Sequence, residues 1–133
     1  MDDSKASIAR TCLDGAETGA MNFPQIVDTL VREGFEGYLV DFRQATATYY
    51  LSDGGGITLP THKLDVALAA AFDPAPIQAA IRDAQLLVPG YSYGGFCRRV
   101  ASAGCAGYLV SFPGRRALYF GRTAETHLEP FPD

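Results

Sequence analysis

The pentapeptide ETHLE, Glu125 to Glu129, holds the most reactive grouping of side chains in the chain. On an extended strand alternate side chains share a face, so Glu125, His127 and Glu129 point one way and Thr126 and Leu128 the other. An imidazole flanked by two carboxylates has raised basicity and suits general-base work. The same groups offer two or three ligands to a divalent ion. Tyr119, on the strand before, and Arg122, in the turn between, complete a candidate catalytic set in which His127 takes a proton and Arg122 holds an anionic substrate. Tyr49 stands in the first half of the chain where Tyr119 stands in the second, and joins Arg122 as a candidate ligand-binding residue. The structural alternative is an edge strand protected by its charges. His62 is the other histidine. A site joining it to His127 is attractive, but no spacing rule supports it.

Other groupings read as structure. The cysteines Cys12, Cys97 and Cys105 form no close-spaced pair, so neither a disulfide framework nor a zinc cluster is expected. Arg98 and Arg99 would lower the pKa of a neighbouring thiol, yet Cys97 lies on an apolar stripe and reads as a buried residue. The stretch Asp14 to Gln25, DGAETGAMNFPQ, has the first acid and sixth glycine of a calcium loop. It lacks carboxylates at positions three and five and ends in Gln25 where a glutamate is needed. DGGGI and PGYSYGGF fit no phosphate-binding fingerprint and read as turns. The expectation is therefore no metal and no cofactor.

The elements that must carry these residues are written twice. At a fixed offset of 70, Gly34 falls on Gly104, Gly37 on Gly107, Tyr38-Leu39-Val40 on Tyr108-Leu109-Val110, Phe42 on Phe112, Ala47 on Ala117 and Tyr49 on Tyr119. Eight of the seventeen positions from 34 to 50 are identical without a gap. Shared apolar spacing could arise by convergence; shared glycines point to internal duplication. Within each unit the periodicity predicts two helices and then strands. Phe23, Ile26, Val27, Leu30 and Val31 make one helical face, with Asn22 as cap, Pro24 in the first turn and Gly34 at the end. Tyr93, Phe96, Cys97, Val100 and Ala101 repeat that stripe before Gly104. Earlier helices are expected over Ser4–Gly15 and from Pro74, where Asp73 caps and Ile77 and Ile81 are four apart. Strands with period-two alternation follow at Tyr38–Phe42, Thr46–Leu51 and Ile57–Leu59, and in the second unit through Arg116–Gly121 to Glu125–Glu129.

These units, about 4–60 and 74–130 with a linker at 61–73, are each too small for a secure core. The chain, 1–133, is thus expected to be a single α+β domain. Two pseudo-symmetric helix-helix-strand-strand-strand repeats would share one antiparallel sheet, with the helices on one face. Tyr38, Tyr49, Tyr50, Tyr108 and Tyr119 all fall on strands. Aromatic residues on both strand faces suggest that a ligand or a second copy covers the sheet, through its face or its edge, so a homodimer is expected.

The bulk numbers bound the function classes. The net charge is −4 at pH 7, which argues against general nucleic-acid binding. Residues 1–66 hold ten acids and five bases; residues 67–133 hold five acids and six arginines. The opening MDDSKASIAR has no apolar core, and no run of about 18 apolar residues exists, so no secretory signal, no membrane span and a cytoplasmic location are expected.

The stretches NFPQIVDTLVREGFEGYLVDF, FCRRVASAGCAGYLVSF and GRRALYFGRTAETHLEPF resemble the YdfO/YbcV-like family of small uncharacterised bacterial proteins, often labelled phage envelope proteins. The resemblance covers nearly the whole chain. It implies an α+β domain with no established activity, and it assigns no catalytic residue. The expected function is a non-enzymatic binding or protein-interaction module of phage ancestry. The alternative is a small enzyme, or a metal- or ligand-binding protein, with its site at the junction of the repeats around His127.

Overall fold

Helix starts and stops follow local chemistry. In the computed structural model, which describes residues 3–132, Asn22 opens a helix with a reciprocal capping box. Its side chain accepts from the Gln25 N–H at 3.0 Å, while the Gln25 side chain accepts from the Asn22 N–H at 2.9 Å. Ser92 caps the matching helix by accepting from the Gly95 N–H at 3.0 Å. Gly34 and Gly104 leave these helices at φ +90° and +96°, a conformation that costs glycine least.

The element order is α1 (Asp3–Thr18), α2 (Phe23–Arg32), β1 (Phe35–Asp41), β2 (Thr46–Leu51), β3 (Gly56–Pro60), α3 (Pro74–Leu86), α4 (Tyr93–Ser102), β4 (Cys105–Ser111), β5 (Arg116–Gly121) and β6 (Thr126–Pro130). The described residues thus form an α+β fold, with four helices and one six-stranded antiparallel sheet in the order β3-β2-β1-β4-β5-β6. Several details differ from the sequence expectation. Helix α1 runs on through Thr18, so Asp14 and Gly15 are helical and the Asp14–Gln25 stretch cannot form a calcium loop. Asp73 caps α3 by position only, without a side-chain hydrogen bond. Phe42 lies in the β1–β2 turn, and Glu125 lies before β6 rather than on it. Residues 61–73, the linker whose structure the sequence left open, form neither helix nor strand.

The centre of the sheet is the pairing of β1 with β4. Leu39 faces Leu109, Tyr38 faces Val110 and Val40 faces Tyr108. On either side the registers run in parallel fashion, with Tyr38 against Tyr49 in one ribbon and Tyr108 against Tyr119 in the other. Each ribbon has an irregularity at the same place, between Phe35 and Gly37 and between Cys105 and Gly107. The two glycines have a steric reason. A Cβ on Gly37 would stand 2.2 Å from the Val110 carbonyl oxygen, and one on Gly107 would stand 2.3 Å from that of Val40.

One core lies between the sheet and the helices. Alternate strand residues enter it: Tyr38 and Val40, Ala47 and Tyr49, Ile57 and Leu59, Tyr108 and Val110, Ala117 and Tyr119. They meet Cys12 and Leu13 of α1, Ile26 and Leu30 of α2, Ile77 and Ile81 of α3, and Phe96 and Val100 of α4. The linker is pinned to this body. Ala69 N–H donates to the Ala101 carbonyl at 3.1 Å and Asp73 N–H to the Ala103 carbonyl at 2.8 Å. Any side chain on Gly104 would collide with the Ala71 carbonyl, 2.0 Å from the Cβ position.

Because the obstructing atoms at the central pairing are backbone, neither Gly37→Ala nor Gly107→Ala can be relieved by a side-chain rotation. Each is expected to destabilise the protein by about 2–3 kcal/mol in urea unfolding. Gly55→Ala, whose nearest Cβ contacts at 3.2 and 3.5 Å are side-chain atoms, is expected to cost much less.

Candidate functional site

His127 and Glu129 sit two apart on β6, an edge strand, and both turn toward the helices. Their rims are partly covered, with side chains 18% and 29% exposed, and His127 Nε2 lies 3.0 Å from Glu129 Oε1. In the Nε2–H tautomer the ring donates to the carboxylate, which leaves the Nδ1 lone pair facing the Gln78 amide nitrogen at 3.5 Å. One turn-pair further along α3, Gln85 Nε2 approaches Glu129 Oε2 at 3.4 Å. Tyr119 pairs with His127 across the ladder, ring centroids 6.4 Å apart. Of the sequence candidates, His127, Glu129 and Tyr119 thus lie together. Both ring nitrogens, however, already face protein groups.

The other candidates stand apart. Glu125 precedes the strand, is exposed, and accepts from the Thr123 hydroxyl within its own turn. Arg122 is exposed in the same turn. Tyr49 is buried on β2, three strands from β5, and stacks on Tyr38 with centroids 5.4 Å apart. His62 follows β3 at the opposite edge of the sheet, where its backbone N–H donates to Glu17 at 3.1 Å. A His62–His127 site is therefore excluded by four intervening strands. His127 also lies two strands away from the β1–β4 junction where a shared cleft was expected. Among the described residues no group of three or more His, Cys, Asp or Glu converges as a metal site would.

The tyrosines form a row across the helix-facing side of the sheet. Tyr38 stacks on Tyr49 and Tyr108 on Tyr119 at 5.4 and 5.2 Å, and Tyr38 meets Tyr108 edge-on at 6.2 Å. The hydroxyls of Tyr93 and Tyr108 share a hydrogen bond of 2.6 Å. Burial raises the pKa values of Tyr38, Tyr93 and Tyr108 well above the ordinary phenol range, so these groups are neutral core members. The thiols follow the same physics. Desolvation pushes Cys97 up to about 12 and Cys105 up to about 11, and raises Cys12. Arg98 lowers Cys97 only as the smallest of its contributions. The three cysteines are therefore buried, protonated packing residues, as the place of Cys97 on its stripe suggested for that thiol.

Two features were missed in the sequence. Gln78 and Gln85 are seven apart on α3, the spacing of one helical face, but nothing local says which strand that face meets. The second feature is the sheet face away from the helices. Leu39, Leu109, Leu118 and Leu128 are aligned in consecutive register across β1, β4, β5 and β6, continued by Thr48 and Thr58 on β2 and β3. Leu109 is 38% and Leu128 47% exposed, and Tyr50 is exposed on the same face. The signal was present in the alternation of Leu39 and Leu109 against the buried Tyr and Val positions. It needed strand order to become a continuous row.

No protein-family model matches the chain, and no curated protein matches it significantly.

Two expectations follow from the site. A raised thiol pKa in the folded state means that the unfolded chain, with thiols at about 8.5, loses its protons first. The thiol contribution is fully present below that value and is lost as pH rises toward 11 to 12. Urea midpoints should fall from about pH 8.5 upward, and Cys97→Ala with Cys105→Ala should flatten the fall below the tyrosine range. Iodoacetamide should leave Cys97 of the folded protein unlabelled. Second, His127→Ile with Glu129→Leu copies the buried residues Ile57 and Leu59 found on β3. Replacing a half-buried polar pair by apolar side chains should leave the urea midpoint unchanged or higher.

Proposed function

We propose that the protein is a non-enzymatic interaction module that self-associates through the open face of its sheet. In this reading it is built from two copies of one helix-helix-strand-strand-strand unit. The observation that carries it is the cross-strand leucine row, Leu39-Leu109-Leu118-Leu128, on the sheet face opposite the helix-packed core. Contiguous apolar surface of this kind marks an interaction site on a soluble domain.

A second copy suits the surface for three reasons. First, rotation by 180° about an axis along the row lays leucines on leucines, and brings the end of the face that carries Arg116 over the end that carries Asp41. Second, six strands about 4.8 Å apart and roughly 18 Å long give a face of about 500 Å². Two such faces bury about 1,000 Å², enough for a specific but concentration-dependent dimer. Third, the alternative route through the edges is blunted. β3 and β6 are five residues each and end in Pro60 and Pro130, which lack a ladder donor.

The two-copy reading is supported by the matched registers of the ribbons and by the matched glycines at the central pairing. Kinship with the YdfO/YbcV-like family and a phage ancestry belong to the same reading, since that resemblance assigns no catalytic residue. No helix of the described residues is long and apolar enough to cross a membrane. The three free, buried thiols suit a reducing compartment such as the cytoplasm. The competing reading, a small enzyme at His127, has the His127–Glu129 contact and the neighbouring Tyr119 in its favour, while Glu125 accepts from Thr123 and Arg122 is exposed in the turn.

Sedimentation velocity across a concentration series should resolve a monomer–dimer equilibrium. Leu109→Lys with Leu128→Lys, both at exposed positions, should return the monomer at every concentration without lowering the urea midpoint. A wild type that stays monomeric at high concentration, or a dimer indifferent to these substitutions, would remove the reading.

A further inference from the structure

The linker 61–73 is held by its ends. Thr61 N–H donates to the Ala45 carbonyl at 2.9 Å, and Ala69 and Asp73 are tied to the end of α4. Between these ties the linker and the β1–β2 turn border a half-open cleft of about 230 Å³. Phe42, Leu64, Val66 and Leu68, all half-buried, form its walls, with the buried Ala101 of α4 behind them. The exposed Arg43 and Lys63 stand at its mouth. Val66 also borders a more open depression of about 610 Å³, lined by Pro76 and Ala79 of α3 and by Arg98 of α4.

The chemistry of the cleft is unbalanced. Arg43 and Lys63 enter no ion pair among the described residues, whereas Arg99 nearby is held by Asp83 at 2.8 Å. Of the carboxylates nearest in sequence, Asp41 already accepts from the backbone N–H groups of Arg43 and Gln44 at 2.9 and 3.1 Å, and the exposed Asp65, two residues from Lys63, does not line the cleft. Along the linker, the backbone N–H groups of 63–68 donate to no protein acceptor among the described residues. Uncommitted cations beside an apolar lining are complementary to one kind of small molecule.

We propose that this cleft binds a small amphiphilic carboxylate. Its anionic head lies between Arg43 and Lys63, and its aliphatic body lies against Phe42, Leu64 and Leu68. At about 30 Å³ per water-sized group, the cleft holds roughly eight such groups. A longer tail passes Val66 into the neighbouring depression. The site is separate from the open sheet face, so it stands or falls independently of self-association.

Octanoate is the probe. Its ten non-hydrogen atoms, at the efficiency ordinary for a small ligand, correspond to a Kd of about a millimolar. Titration followed by ¹H–¹⁵N correlation spectra should give saturable shifts at 42–45, 63–68 and Ala101. Octanol should bind more weakly, and octylammonium should not bind. Arg43→Glu and Lys63→Glu, both at exposed positions, should each weaken octanoate by about tenfold or more. Val66→Trp, which fills the cleft without altering its charge, should abolish the same shifts. The proposal is overturned by shifts that do not saturate, by equal binding of octylammonium, or by shifts confined to Leu109 and Leu128 on the open face. Octanoate affinity unchanged in the charge-reversed variants would overturn it as well.

Discussion

The structure depends on the antiparallel contact between β1 and β4. Two three-stranded ribbons, each with its own pair of helices, meet only there within the sheet. Neither ribbon with its helices would bury enough apolar surface alone. Joined, they put Tyr38, Tyr49, Tyr108 and Tyr119 side by side beneath four helices and make one core. The contact is possible because Gly37 and Gly107 let the neighbouring strand's carbonyls approach to distances that any Cβ would forbid.

That contact also decides what faces outward. With the helices drawn to one side, the other face carries the residues in alternate register. At the centre these are Leu39 and Leu109, with Leu118 and Leu128 extending the row toward β6. On the β3 side the row continues as threonines, and Thr48 and Thr58 bond to each other through their hydroxyls at 3.0 Å. The face is therefore apolar on one side of the central contact and polar on the other. On the helix side the asymmetry runs the opposite way. Ile57 and Leu59 of β3 are buried, whereas His127 and Glu129 occupy the corresponding places on β6 under the glutamines of α3. Each edge strand is thus apolar on one face and polar on the other, in opposite senses.

Function follows from how these surfaces are left. A His–Glu pair whose ring nitrogens are both engaged is a satisfied rim contact. Buried thiols and phenols with raised pKa values stay protonated and pack. What remains uncommitted is the leucine row and the cationic mouth of the linker cleft. On these two surfaces rest the self-association and the carboxylate binding proposed above.

Local features were legible without coordinates because their causes lie within about ten residues. Asn22 and Pro24 start α2 in any context that permits a helix, Gly34 and Gly104 end helices because a left-handed backbone disfavours a Cβ, and alternation along Thr46–Leu51 makes a strand with one buried face. The neighbourhood of His127, Glu129 and Tyr119 was readable for the same reason, since an antiparallel hairpin brings them together. Strand order, the meeting of Gln78 and Gln85 with β6, the separation of Tyr49 and His62 from His127, and the continuity of the leucine row were decided only in the folded chain. Each depends on which distant segments share a sheet, and that choice is made by burying two apolar stripes at once, an energy that no local window contains.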